Sequence, residues 1–175
     1  MANKLQSYFD LIIATQDWHP EDHISFATNH PNKVVGDVIQ VDHLPQVLWP
    51  DHCIQYSKGA QFHPKFDTHK IHKIFHKGID KNIDSYSAFF DNAKKRSTGL
   101  SAYLKVQGVT EIYIVGLATD YCVKFSALDA IELGFRTTVF QDAMEGVNLQ
   151  PYDSKQAIDI MRQAGARILE SKNME

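Results

Sequence analysis

The sequence predicts an α/β fold with a mostly parallel sheet, in one domain that spans residues 1–175. Short apolar runs alternate with helical patterns along the chain, and this alternation is typical of parallel strands joined by helices. The runs are rich in Ile and Val, as expected for strands that are buried on both faces of a sheet. Hydrophobic residues make up 43% of the chain, which is enough to form the core of a domain of ~100–200 residues.

The predicted strands, of which the third is the clearest, are 11–15, 71–75, 111–116, 137–140 and 167–169. Helices are predicted between the later strands: one marked by Leu100 and ended by Gly108, one over 122–133, and one over about 154–164. A glycine directly after a helical pattern is a common stop signal. Residues 20–64 show little regular pattern, and so long a loop inside a compact domain is usually functional.

Composition argues against several classes of partner. The net charge is −3 and the one basic cluster, at 94–96, is short, so we expect no nucleic-acid binding. No apolar run approaches the ~18 residues of a membrane span, and no signal peptide is visible. Two cysteines are too few for a disulfide scaffold, so we expect a reducing, cytoplasmic setting. The sequence does not decide between a monomer and a homo-oligomer.

The first predicted strand runs into residues that could bind a metal. Asp17 and His19 are two apart and therefore face the same way on an extended chain. His23 and His52 are further candidates, and one carboxylate with several imidazoles suits Zn²⁺ or another first-row divalent ion. The alternative is that these are ordinary polar loop residues, since an Asp-x-His pair is common by chance.

The next two predicted strands end in groups that could carry out chemistry. Lys77 follows the second strand and could stabilise a thiolate, although an exposed lysine before a turn is the ordinary alternative. Cys122 follows the third strand at a predicted helix start, where the helix N-terminus would lower the thiol pKa and free N–H groups could bind an oxyanion. A buried structural cysteine is the alternative.

Five motifs together resemble the nicotinamidase/pyrazinamidase family of isochorismatase-like cysteine hydrolases. They are Gln-Asp-Trp-His-Pro at 16–20, Trp-Pro-Asp-His-Cys at 49–53, Phe-His-Lys-Gly at 75–78, Asp-Ser-Tyr-Ser-Ala-Phe at 84–89 and Gly-Leu-Ala-Thr-Asp-Tyr-Cys-Val-Lys at 116–124. The resemblance runs from about residue 2 to 165. It implies hydrolysis of nicotinamide to nicotinate and ammonia, a reaction of NAD salvage.

The resemblance also implies a role for individual residues. Cys122 matches the nucleophile and Lys77 the basic member of an Asp-Lys-Cys triad. The remaining matches are the metal ligands Asp17, His19 and His52, with His23 a ligand in some members; the oxyanion-hole N–H groups of Ala118 and Cys122; and the ring-binding residues Trp49, Tyr86 and Tyr121. A cis peptide is expected between Leu117 and Ala118. Zn²⁺ is the expected metal, with Fe²⁺ and Mn²⁺ as alternatives.

One part of the family pattern has no match in this sequence. Family members begin with a strand that ends in Asp-x-Gln-x-Asp-Phe, and its first Asp completes the triad. Asp10 is no substitute, because it begins a strand. The expected fold is therefore a three-layer, doubly wound, mostly parallel sheet with an order resembling 3-2-1-4-5-6, lacking the usual first central strand. We expect the chain alone to have little or no amidase activity and marginal stability; the alternative is that its start is misassigned and the natural protein is longer.

Two other functions remain open from the sequence. Other isochorismatase-like cysteine hydrolases resemble this fold, but they generally lack the Asp-x-His and Trp-Pro-x-His metal residues. A non-catalytic remnant could bind a metal or nicotinamide without turnover. The sequence also leaves open whether pyrazinamide is accepted.

Overall fold

The structure is a computed structural model that describes residues 1–174. Its strands are β1 (Ile13–Asp17), β2 (Val38–Val41), β3 (Leu44–Val47), β4 (Lys73–Lys77), β5 (Glu111–Leu117), β6 (Arg136–Glu145) and β7 (Arg167–Leu169). Its α-helices are α1 (Ala2–Leu5), α2 (Leu100–Val106), α3 (Lys124–Glu132) and α4 (Asp153–Ala164). Strand and helix alternate from β4 to β7, as the sequence predicts.

The parallel strands lie in two sheets. In one, β1 pairs with β4, and Asp17 is the register partner of Lys77. In the other, the order is β5-β6-β7, and both pairings are parallel. Within residues 1–174 no strand pairing joins the two sheets. The carboxyl ends of β1 and β4 are thus fixed side by side, while the end of β5 reaches them from the second sheet.

Several predicted boundaries differ from the observed ones for a common reason. β1 and β4 begin and end two residues later than predicted, because strand pairing continues through polar residues at which the apolar runs had stopped. The hairpin of β2 and β3 was missed. Its turn is formed by Asp42 and His43, with φ of 50° and 67°, a type I′ conformation that is usually signalled by Asn-Gly or Asp-Gly.

Helices α2, α3 and α4 pack apolar side chains against the strands. One buried cluster joins β4 to α2, and a second joins α3 and α4 to β6; their members include Phe75, Leu100, Leu104, Ala130 and Phe135 in the first, and Val123, Ala127, Val139 and Met161 in the second. The opposite face of β5 places Tyr113 against Phe9 and Phe140. The longest helix, α4, has 12 residues, and no described helix has the length and hydrophobicity of a bilayer span.

Candidate active site

The ends of β4 and β5 bring the predicted lysine and cysteine into contact. Lys77 Nζ lies 3.3 Å from Cys122 Sγ, although the residues are 45 positions apart. The Lys77 side chain is only 5% exposed and also donates a hydrogen bond to the Ser85 carbonyl, 2.8 Å away. The alternative of a solvated lysine is therefore wrong.

The Lys77 ammonium also forms an ion pair with Asp17. Burial alone would lower the pKa of Lys77, but attraction to Cys122 and Asp17 outweighs burial and raises that pKa. Burial likewise acts to raise the pKa of Asp17, but the Lys77 ammonium outweighs it and the pKa is lowered. The Lys77 ammonium thus contacts the Asp17 carboxylate on one side and the Cys122 sulfur on the other. The sequence carries no direct signal for these contacts, because they depend on the pairing of Asp17 with Lys77 across β1 and β4.

The surroundings of Cys122 differ from the sequence prediction. Burial raises the pKa of the Cys122 thiol, and the opposing effect of Lys77 does not overcome it. The expected lowering of this pKa is therefore wrong. Deprotonation of Cys122 at neutral pH consequently needs a base. A π-helical turn occupies Thr119–Val123 and runs directly into α3 at Lys124, so the thiol lies in the first helical turn after β5.

The turn before Cys122 has the expected backbone geometry. The peptide between Leu117 and Ala118 is cis, as predicted. The Ala118 carbonyl accepts hydrogen bonds from the N–H groups of Tyr121 and Val123, at 3.1 and 3.0 Å. These bonds anchor the connection between β5 and the turn that carries the thiol.

Asp17, His19 and His52 form a cluster beside this contact. One possible ligand atom from each lies within 4.8 Å of those of the other two. Nδ1 of His19 lies 2.9 Å from the Gly78 carbonyl, and Nδ1 of His52 lies 2.8 Å from the Pro50 carbonyl. A carbonyl can only accept, so Nδ1 carries the hydrogen in both rings and Nε2 keeps its lone pair. This is the arrangement in which metal-binding histidines are usually held.

A second cluster shares His19 and adds His23 and Asp84, all buried. His23 Nδ1 lies 2.7 Å from Ser25 Oγ and accepts a hydrogen bond from the Ser25 N–H at 3.3 Å, so the neutral ring carries its hydrogen on Nε2, which is buried with no hydrogen-bond partner. Leaving such an atom unpaired costs ~1–3 kcal/mol, which favours a hydrogen-bond acceptor at this position or, after a change of tautomer, a metal ion. Burial lowers the pKa of His23 to about 4 and also lowers that of His19. Both rings are therefore neutral near pH 7 and fit a divalent cation.

Asp84 was missed in the sequence. It is 3% exposed and accepts a hydrogen bond from the Ser85 N–H at 2.7 Å. Asp84 lies between Lys77 and Tyr86 in the sequence. Its spacing from the candidate metal ligands follows no known motif, so the sequence does not mark it as a possible ligand.

The three predicted ring-binding residues form one aromatic wall. The ring centroids of Trp49 and Tyr121 are 4.8 Å apart, and those of Tyr86 and Tyr121 are 5.2 Å apart. Phe125, which the sequence did not single out, stacks on Tyr86 with a centroid distance of 5.5 Å. A flat aromatic ligand could pack against such a surface.

Gly78 allows the imidazole of His19 to approach the backbone. Its φ is +63°, and an added Cβ would lie 2.3 Å from His19 Cε1. We expect Gly78→Ala to displace this ring and to weaken Zn²⁺ binding about ten-fold or more, as for other changes behind a metal ligand. The measurement is competition for Zn²⁺ with a chromophoric chelator.

Gly108→Ala is the matched control for this prediction. Gly108 has a similar φ of +71°, but an added Cβ would meet nothing within 4 Å. Both variants therefore carry similar backbone strain, and only one carries the clash. Equal Zn²⁺ affinity in the two variants would contradict the prediction.

The chain is similar to known proteins over nearly its whole length. A family model described as an isochorismatase domain matches residues 22–173. A nicotinamidase of Escherichia coli (strain K12) is 47% identical over 172 residues, covering 96% of this chain and 80% of that protein. The structure also matches an Acinetobacter baumanii nicotinamidase pyrazinamidase with a TM-score of 0.96 at 44% identity, covering 99% of this chain and 84% of that one.

A third match is to a solved structure that holds a metal. The pyrazinamidase of Pyrococcus horikoshii, in complex with zinc, has a TM-score of 0.73 at 32% identity, covering 96% of this chain and 79% of that one. These structures confirm the predicted α/β fold class with parallel strands.

Proposed function

Because this chain belongs to the isochorismatase family and, within it, to the nicotinamidases, we propose that it hydrolyses nicotinamide to nicotinate and ammonia. The observation that carries the proposal is the contact between Lys77 and Cys122, beside a cluster of metal-binding side chains and an aromatic wall. A nucleophile, a fixed positive charge and a ring-binding surface are what amide hydrolysis of an aromatic carboxamide requires.

In this reaction Cys122 is the nucleophile. Its sulfur attacks the carboxamide carbon while its proton leaves, the C–N bond breaks, and ammonia departs with that proton. Water then cleaves the thioester and regenerates the thiol with release of nicotinate. The buried Lys77 ammonium, held by Asp17 and the Ser85 carbonyl, stabilises the developing thiolate.

The remaining side chains bind and orient the substrate. Trp49, Tyr86 and Tyr121 would pack against the pyridine ring. We assign the backbone N–H groups of Ala118 and Cys122 to the oxyanion. Within residues 1–174, Asp17 is the carboxylate that forms an ion pair with Lys77. Its negative charge therefore balances the positive charge of the buried ammonium. The expectation that the family's first aspartate is missing stays a prediction.

Asp17, His19 and His52, with His23, would hold a divalent cation. When bound, such an ion supplies a Lewis acid for the ring nitrogen and for water. We propose Zn²⁺, supported by the imidazole and carboxylate donors and by the zinc in the Pyrococcus horikoshii relative. Fe²⁺ and Mn²⁺ suit the same donors.

The product and the cysteines indicate the setting of this reaction. Nicotinate would enter NAD salvage, and pyrazinamide, which has a similar ring, is a second expected substrate. Cys53 and Cys122 are both free thiols, which fits a reducing, cytoplasmic compartment.

The proposal is tested with the purified chain, Zn²⁺ and nicotinamide. We expect binding in calorimetry and, however slow the turnover, release of ammonia and nicotinate in equal amounts. Binding without any ammonia release would favour the non-catalytic alternative. The absence of both nicotinamide binding and ammonia release would overturn the proposed function.

A further inference from the structure

Gln46 is a buried polar residue that the proposed reaction does not use. It lies on β3, opposite Ile39 of β2, and is 3% exposed. Its Nε2 is 2.7 Å from the Val47 carbonyl, 3.2 Å from Asp84 Oδ2 and 3.1 Å from Tyr86 Oη. Since a buried amide is costly unless its hydrogen bonds are formed, these contacts determine where the side chain can lie.

The neighbours of Gln46 fix the orientation of its amide. Nε2 faces the Val47 carbonyl and the Asp84 carboxylate. A carbonyl and an ionised carboxylate accept hydrogen bonds and cannot donate them. The Oε1 atom lies 3.5 Å from Nδ2 of Asn92, a donor. A flipped amide would place an oxygen against two acceptors, so the observed orientation is the one that the network supports.

Tyr86 Oη receives two donors from opposite parts of the site. One is Gln46 Nε2 and the other is Trp49 Nε1, each 3.1 Å away. Burial, and then the nearby Asp84 carboxylate, raise the pKa of Tyr86, so the phenol is neutral. Its oxygen accepts both hydrogen bonds, which hold the phenol and the indole at a fixed angle.

We propose that Gln46 is the positioning residue of the aromatic wall. It fixes Tyr86 directly and Trp49 through Tyr86, and through Asp84 it ties this wall to the cluster of His19 and His23. The inference rests on the proposed function, because the wall is taken to bind the nicotinamide ring. Gln46, on the β2–β3 hairpin, would thus influence substrate specificity without touching the substrate.

The test compares Gln46→Met with Gln40→Met. Methionine keeps the length of the side chain and removes its hydrogen bonds. Gln40 lies on the same hairpin, opposite Pro45, and is exposed. We expect Gln46→Met to raise the Kd for nicotinamide about ten-fold, and KM more than kcat, since the wall binds the ring rather than the reacting bond. Gln40→Met should match the wild type.

A double-mutant cycle with Tyr86→Phe shows whether Gln46 acts through the phenol. Because Tyr86→Phe removes the shared oxygen, adding Gln46→Met should change the nicotinamide Kd little further. Independent effects of the two substitutions would overturn the proposal, as would unchanged nicotinamide binding in Gln46→Met.

A measurement without ligand separates this inference from the proposed function. The chain has two tryptophans, so two indole N–H signals are expected in an NMR spectrum, with Trp18 as an internal reference. Gln46→Met should shift the Trp49 signal, whereas Gln40→Met should leave it in place. An unmoved Trp49 signal would refute the positioning role. A shifted signal in a chain that neither binds nor hydrolyses nicotinamide would count against the function alone.

Discussion

Cys122→Ala is expected to abolish ammonia release from nicotinamide, while Cys53→Ala keeps most of the wild-type rate. Loss of a nucleophile typically costs ~10⁴-fold or more in kcat. Cys122 contacts the Lys77 ammonium at 3.3 Å. For Cys53, burial and the negative charge of Asp17 raise the pKa to about 11, which makes it a weak nucleophile at neutral pH. The measurement is ammonia release under saturating nicotinamide and Zn²⁺.

The two cysteine variants are matched because each removes one of the two free thiols. Circular dichroism and thermal unfolding should show that both fold like the wild type. Iodoacetamide labelling, mapped by mass spectrometry, gives a readout that does not depend on the turnover rate: nicotinamide should protect Cys122. Equal loss of activity in both variants would argue against a unique nucleophile.

His52→Ala is expected to lower Zn²⁺ binding more than about 100-fold, because it removes a ligand rather than a group behind one. His52 Nε2 is free of the hydrogen bond that Nδ1 makes to the Pro50 carbonyl. Nicotinamide hydrolysis should fall with the metal content. The control is His69→Ala, since the His69 side chain is 87% exposed and lies in neither metal-binding cluster. Metal content after dialysis, measured by mass spectrometry, checks the result.

The pH dependence of Zn²⁺ retention follows from the same histidines. Protons compete with a metal for imidazole nitrogen. Because burial holds the pKa of His23 at about 4 and lowers that of His19 below the usual 6.5, protonation of these rings requires more acid than usual. Zn²⁺ should therefore stay bound below pH 6.5, and loss of the metal already at neutral pH would contradict this cluster.

The approximate positions of the strands were predictable from their apolar runs, although β1 and β4 end two residues later than predicted. This placed Asp17, Lys77 and Cys122 correctly at the carboxyl ends of β1, β4 and the turn after β5. Contacts between those ends depend on strand order, which no local pattern encodes. The ion pair between Asp17 and Lys77 was missed for that reason.

Other parts of the site could not be predicted because they depend on burial. Asp84 and Gln46 resemble ordinary polar residues until packing removes them from water. The pKa of Cys122 shows the same limit: the charge of Lys77 was anticipated, but the larger effect of burial was not.

The site depends on which face of β3 the Gln46 side chain points to. Alternate side chains of a strand point to opposite faces, so one extra residue within β3 would turn Gln46 outward. Two extra residues would restore the alternation. Lengthening the loop at Asp42 and His43 leaves that alternation intact. In directed evolution of this protein, length changes at the hairpin tip should therefore be tolerated, while single-residue insertions in β3 should be eliminated.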